Sequence, residues 1–480
     1  MTALCVIGID ALDPDLLQVW RHDLPTFDRL MTEGRWARLQ STFPPDSIPA
    51  WTTIYTGLDP SEHGGLEYVN YLDVKQGLRQ LDNSRLRGRT FWDRASAAGL
   101  KVLVLNPFMA YPAWPVNGAM ISGPVFVDGT ISVEPNDLQL PDQIPELGGM
   151  VDLPTRRTRE SFYERCARVT EEQGVFFRTM LANQEWDLAY VLFLTLDRVK
   201  HFYWRFEDRD DPCFERWESR SHPIRDFYRL LDRILGGILA ELPSGVSYLV
   251  LSDHGHKRRC TRLFYVNELL RRADLLSAPT GLLSLLAPNV LLERAKNLAL
   301  DLAFAIRGED LLTAVAQFVP NRKALKRGDH VIGLSGTVAR TSSFAGVNPF
   351  GGIVINDHEA ARRSLDREAV LNRVIALMQN AIDPSTARPV VRWIKRREEA
   401  VPKGARQAAY PDLLFELEPD YGVSWAIYRP LFGPNVTHRK ISGGHTREGV
   451  IILGGSGRET ELSRPAVGDV HSLVLDLLGV

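Results

Sequence analysis

The chain carries no excess charge of either sign: 57 Lys and Arg stand against 59 Asp and Glu in 480 residues, a formal net charge of -2. That balance excludes the broad basic surface with which a protein grips duplex nucleic acid or an anionic membrane. An anionic substrate must then be drawn by charge gathered locally. Cysteine is scarce, and Cys5, Cys166, Cys213 and Cys260 lie far apart with no C-x-x-C spacing. This argues against a disulfide framework and against a structural cysteine zinc site. No unbroken apolar run approaches the ~18 residues of a membrane span. The segment Leu4 to Ile9 has neither a basic leader nor a cleavage site, reads as a first buried strand, and leads us to expect a cytoplasmic protein. Internal repeats, low-complexity tracts and a Pro/Gly/Ser-rich linker are missing too. What remains is the composition of a globular protein, 44% hydrophobic and 24% charged, with enough chain to bury a sizeable core.

Short apolar, β-branched runs alternate with helical stretches through the first half, the pattern of a parallel sheet covered by helices. Strands are predicted at Leu4 to Ile9, Lys101 to Leu105, Leu188 to Leu194 and Tyr248 to Leu251. Helices are predicted at Pro14 to Arg21, Thr26 to Glu33, Thr90 to Ala98, Ser161 to Asn183 and Ile224 to Leu242; the last repeats apolar residues at steps of three and four. From Leu263 to about Leu325 the pattern is helical only. It predicts a bundle-like insertion or cap over 263–340, with an interfacial membrane helix pair as the alternative. The α/β core is expected over 1–262 and 341–480, since strand signals return at Gly351 to Ile355, Leu413 to Leu417 and Val450 to Leu453.

Side chains able to bind a metal recur where apolar runs give way to turns: Asp10, Ser47, Asp197 with His201, Asp253 with His254, and His445. Ligands project from the carboxyl ends of strands in an open α/β sheet, and Asp and His are donors that divalent transition metals select. Six of them plus a hydroxyl suffice for two cations. Prolines flank Ser47 in Phe43-Pro44-Pro45-Asp46-Ser47-Ile48-Pro49; they fix the backbone entering the next helix, where N–H groups favour a phosphoryl group. Ser47 is thus the candidate nucleophile, with a plain N-cap as its alternative. Asp197 and His201, four apart, face one way on a helical turn, and Asp253-His254 ends a strand before Gly255. His256 is left outside the set. Asp13, ahead of Pro14, is the better N-cap than Asp10.

Asp10, the Pro-flanked Ser47 with Thr56-Gly57 and His63-Gly64, Asp197 to His201, Ser252-Asp253-His254-Gly255 and Gly444-His445 together resemble the alkaline phosphatase superfamily. They are most similar to its type I phosphodiesterase/nucleotide pyrophosphatase branch, which includes bacterial proteins described as phosphohydrolases or phosphomutases. The resemblance spans about 10 to 480. It implies an alkaline-phosphatase-like, mostly parallel sheet with helices on both faces. It further implies one metal on Asp10, Asp253, His254 and the Ser47 oxygen, another on Asp197, His201 and His445, and a covalent phosphoserine. Zinc is the first expectation for the mixed His and Asp ligands, manganese the second.

The chain departs from that branch in places. Serine stands at 47 where nucleotide pyrophosphatases carry threonine, Ala50 stands where they carry Asn, and their second phosphate-contacting Asn falls near Tyr68 and Asn70 without a match. Ser47-Ile48-Pro49-Ala50-Trp51 also lacks the Arg of a sulfatase. The expected activity is metal-dependent cleavage of a phosphodiester or phosphoanhydride in a small phosphorylated substrate. The alternatives are a phosphomonoesterase or phosphomutase using the same site, and a non-catalytic metal-binding protein. Arg198 and Lys200 are read as phosphate contacts or structural cations, and Trp51 as a stacking surface or core.

Overall fold

The computed structural model describes residues 3–480 apart from 69–82, 126–128, 150–151, 281–285, 309, 311–328, 343, 345–347, 402–405 and 456–461. Its contacts divide the chain into two compact units, Met1–Arg258 with Gly443–Val480, and Arg259–Ser442.

The first unit is built on an eight-stranded sheet: β1 (Leu4–Ile9), β2 (Arg35–Gln40), β3 (Val102–Leu105), β4 (Gly118–Ser122), β5 (Ser132–Glu134), β6 (Leu188–Phe193), β7 (Ser247–Leu251) and β8 (Glu448–Gly454). Their order is β2-β8-β7-β1-β6-β3-β4-β5. The run β7-β1-β6-β3-β4 is parallel, while β8 and β5 run against their neighbours. Every residue of β1 and β6 is buried, which requires helices on both faces of the sheet. On one face Val6, Val104, Tyr190 and Leu251 share a core with Trp51, Tyr55, Trp92 and Val474. Helices Arg159–Asn183, Thr195–Glu207 and Pro223–Glu241 pack against one another in the same unit. The expected strands and helices appear within about two residues of their predicted ends. Strands β2, β4 and β5 were not predicted: β2, RWARLQ, is mostly polar with only Leu39 buried, and β4 and β5 are short runs of five and three residues.

The second unit has its own core, including Phe264, Leu270, Val374, Ile353, Leu413 and Phe415. Helices such as Val266–Arg272, Pro288–Ala305 and Arg367–Gln379 accompany a four-stranded antiparallel sheet in the order Ala339–Thr341, Phe350–Ile355, Leu413–Leu417, Val391–Arg396. This corrects the sequence-based boundaries. The strands Phe350–Ile355 and Leu413–Leu417, read as the core sheet resuming at 341, pair with each other instead, so the unit runs to Ser442 and is not mainly helical. An apolar run announces a strand but carries no information on which sheet it joins. Among the described residues no helix is long and apolar enough to cross a membrane.

Candidate metal centre

The predicted site residues all lie within the first unit, and all but His445 stand just beyond a strand of the main sheet or near a helix start. Asp10 follows β1, Asp253 and His254 follow β7, and Asp197 and His201 occupy the first two turns of helix Thr195–Glu207 after β6. His445 lies in a short strand, Gly443–Thr446, paired antiparallel with Gly255–Arg258. Ser47 opens helix Ser47–Thr56.

The structure brings all seven together. Ser47 Oγ is 3.1 Å from His254 Nε2 and 3.4 Å from Asp10 Oδ1. His254 Nε2 lies 3.3 Å from Asp253 Oδ2 and 3.7 Å from Asp10 Oδ1. Asp197 Oδ1 is 3.3 Å from the Nε2 atoms of both His201 and His445, which are 2.9 Å apart. The ligand atoms of Asp10, Asp197 and His254 lie within 4.8 Å of one another, and so do those of Asp197, His201, His256 and His445. Asp197 belongs to both groups.

The imidazoles are oriented from behind. Nδ1 of His201 faces Gly443 O at 3.0 Å, Nδ1 of His254 faces Gly255 O at 3.0 Å, and Nδ1 of His445 faces Pro45 O at 2.8 Å. A carbonyl only accepts, so each Nδ1 carries the proton and each Nε2 turns a lone pair toward the carboxylates; this is the way a metal-binding histidine is held. Oδ1 of Asp197 and Oδ2 of Asp253 are buried and receive no hydrogen bond. Lone pairs and carboxylate oxygens crowded at these separations repel unless positive charge lies between them. The donor set therefore fits two divalent cations.

Charge follows burial and neighbours. Burial, then Asp253 and Asp197, push the Asp10 carboxyl well above the usual range, and burial likewise raises Asp253. Burial would raise Asp197 too, but the facing His201 and His445 outweigh it and hold it well below. Burial pushes His201 down to about 3 and lowers His254 strongly. Burial opposes charge on His445 as well, yet the facing carboxylate of Asp197 lifts it above its ordinary value.

For several neighbours the structure selects between the roles weighed from sequence. Trp51 is fully buried, packs where Gly8 has no side chain, and donates Nε1–H to Asp10 Oδ2 at 3.0 Å; it is core and orients Asp10, leaving no face for a ligand to stack on. Lys200 is fully buried and donates to Ala11 O at 2.9 Å and to the Tyr228 hydroxyl at 3.0 Å. It thereby secures Ala11, whose φ of 64° puts a non-glycine residue in the left-handed region directly after Asp10. Arg198 donates to Asp152 O at 3.1 Å. The start of helix Ser47–Thr56, where a phosphoryl group was expected to be favoured, is poorer in donors than expected, since Asp46 accepts from Ile48 N–H and Pro49 has none. Asp13 caps its helix through Asp15 and Leu16 N–H, as predicted. His256, set aside in the sequence, is fully buried with Nε2 3.7 Å from Asp197 Oδ1. Asn70 and the Tyr68 side chain lie outside the described residues.

Known proteins share this fold. Solved structures of phosphonoacetate hydrolase from Sinorhizobium meliloti 1021, in complexes with phosphonoformate and phosphonoacetate, match with TM-scores of 0.54 and 0.52. Each is 14% identical and covers 100% of this chain and 96% of that one, a likeness of fold. Ectonucleotide pyrophosphatase/phosphodiesterase family member 3 of Rattus norvegicus is 27% identical over 165 residues, 33% of this chain and 18% of that protein. The chain thus spans less than a fifth of that relative. The mixed α/β fold is that of the alkaline phosphatase superfamily. Within it, residues 4–425 match the type I phosphodiesterase / nucleotide pyrophosphatase model, and the chain belongs to that family.

Proposed function

We propose that the protein hydrolyses a phosphodiester or phosphoanhydride bond in a small substrate through a covalent phosphoserine at Ser47. In this reading Asp10, Asp253, His254 and the Ser47 oxygen hold one divalent cation, and Asp197, His201 and His445 hold the other, zinc first and manganese second. The observation that carries it is a half-buried serine hydroxyl at a helix start, 3.1 Å from His254 Nε2, beside buried carboxylate oxygens that receive no hydrogen bond. When bound, the cations supply positive charge that eases loss of the serine proton and offsets charge on the phosphoryl and leaving oxygens.

The rest of the chemistry belongs to the chain. Ser47 Oγ attacks phosphorus, the bond from phosphorus to the leaving oxygen breaks, and the proton given up by serine balances the one gained by the leaving group, released as an alcohol or a phosphate. Water then attacks the phosphoserine, frees the phosphoryl half and restores the hydroxyl. Trp51 fixes the carboxylate of Asp10 beside the nucleophile, and the backbone carbonyls behind His201, His254 and His445 fix the imidazoles. Ser47, His201 and His445 are only partly buried while Asp10, Asp253 and His254 are buried, so substrate approaches from the Ser47 side.

A phosphomonoesterase or phosphomutase is the second reading, supported by the burial of Trp51, which takes away one candidate face for stacking a nucleotide base. Aryl phosphate mono- and diesters, with phosphonoacetate as a carbon–phosphorus probe, separate these readings by product. Ser47→Ala is expected to lower turnover on the order of 10^3-fold or more while bound cation is retained. Turnover that survives the substitution excludes the phosphoserine, and wild-type protein inert on the whole panel points to a metal-binding protein without catalysis.

A further inference from the structure

We infer that His256 is a fourth protein ligand of the cation assigned to Asp197, His201 and His445, making that site closed and the tighter of the two; this rests on the two-metal reading above. The sequence gives only a second histidine in Asp253-His254-Gly255-His256. The fold gives it direction. In the antiparallel pair of Gly255–Arg258 with Gly443–Thr446, His256 stands directly opposite His445, and directly opposed residues project from the same face of a sheet.

The imidazole arrives with nothing else to do. His256 is fully buried, and among the described residues neither of its ring nitrogens has a hydrogen-bond partner, a state that native interiors rarely leave uncompensated. Its ring meets that of His201 edge-on at 4.6 Å, and Trp204 stacks on it at 5.9 Å. A Cβ on Gly443 would come within 2.4 Å of His256 Cε1. Gly443, whose carbonyl orients His201, therefore also makes room for the second ring.

Distances supply the test of shape. A tetrahedral ion with bonds of about 2.0–2.1 Å to nitrogen and oxygen holds its ligand atoms roughly 3.4 Å apart. Asp197 Oδ1 is 3.3, 3.3 and 3.7 Å from the Nε2 atoms of His201, His445 and His256, and the first two nitrogens are 2.9 Å apart. These separations bracket the tetrahedral edge. Four protein ligands are the mark of a cation that is retained, whereas a catalytic zinc keeps a position open. In the Ser47 half the fourth ligand is the reacting Ser47 oxygen itself, so only Asp10, Asp253 and His254 would hold a cation there throughout the reaction. Unlike the other three imidazoles, His256 has no carbonyl behind Nδ1, so its loss is expected to weaken the site rather than erase it.

The test uses the full chain, stripped with a chelator and titrated with zinc by calorimetry. Wild type is expected to bind two equivalents, one more tightly. His256→Ala is expected to weaken the tighter one by about 10- to 100-fold and leave the other unchanged. His256→Cys loaded with cobalt(II) is expected to show a thiolate-to-cobalt charge-transfer band, which a residue serving only in packing would not produce, and it serves where the alanine variant fails to fold. Wild-type affinities in His256→Ala, or no such band in His256→Cys, overturn the assignment and leave the two-metal reading standing. Wild type that takes up no zinc overturns both.

Discussion

Around Ser47 the titratable side chains are mostly acidic, with Asp10 and Asp253 flanking the single imidazole of His254, whereas around Asp197 three imidazoles surround a single carboxylate. The effect on charge is opposite in the two halves. Asp10 and Asp253 are raised because burial and neighbouring carboxylates penalise their ionised forms, while Asp197 is lowered because its histidines favour ionisation. The acidic half is thus the one that most needs a divalent charge to be stable as built, and the half that can draw a cation toward a nucleophile. The histidine half is nearly balanced, and suits holding rather than reacting. A hydroxyl is activated where net negative charge concentrates a cation, and the same cation is steadied by a partner site of different composition.

The largest test of this comparison is Asp197, whose carboxylate belongs to both groups. Asp197→Ala is expected to remove the cation assigned to it and to weaken the other, while Asp10→Asn removes only the cation of the acidic half, read by metal content after dialysis. Equal losses in the two variants would show that the halves do not share a ligand. A smaller effect is expected from Trp51→Phe, which removes the 3.0 Å bond to Asp10 and keeps most of the ring. A hydrogen bond to a charged group is worth about 1.5–3 kcal/mol. The variant should therefore lose about 10- to 100-fold in affinity at the acidic half, with the histidine half unchanged; an equal loss at both halves breaks the assignment of Trp51 to Asp10.

The smallest effect separates the scaffold from the site. His63 is buried behind the Ser47 helix, with Nε2 2.9 Å from Thr53 Oγ1 and Nδ1 accepting from Gly65 N–H at 3.1 Å. Burial pushes this imidazole from 6.5 down to about 3, so folding favours its neutral form. Its contribution is fully present above about pH 6.5 and is lost as acid protonates the unfolded chain first. His63→Asn is expected to flatten the fall of melting temperature between pH ~6.5 and ~4. An unchanged slope would assign the acid sensitivity to the histidines of the site.

The order of elements through the first half was legible because periodicity is local. Leu4 to Ile9, Leu188 to Leu194 and the amphipathic run from Ile224 announce themselves without a partner. Asp10, Asp197, Asp253 and His254 were legible for the same reason, since each stands where such a run ends. The polar strand Arg35–Gln40 was not, and neither was the sheet membership of Phe350–Ile355. His256 was overlooked because a second histidine in a short motif looks solvent-exposed until its cross-strand partner is known.

By itself the sequence determined the chemical inventory and its spacing: which acids, histidines and serine are present, and which strand or helix delivers each. Tertiary structure decided which of them share a cation. Asp10 and Asp253 are 243 positions apart, and His445 lies 244 positions beyond His201, yet β1 pairs with β7 and the His201 and His445 nitrogens meet at 2.9 Å. Local propensity acts over a few residues, whereas coordination needs atoms within a few ångströms, and only long-range strand pairing and burial can join the two scales.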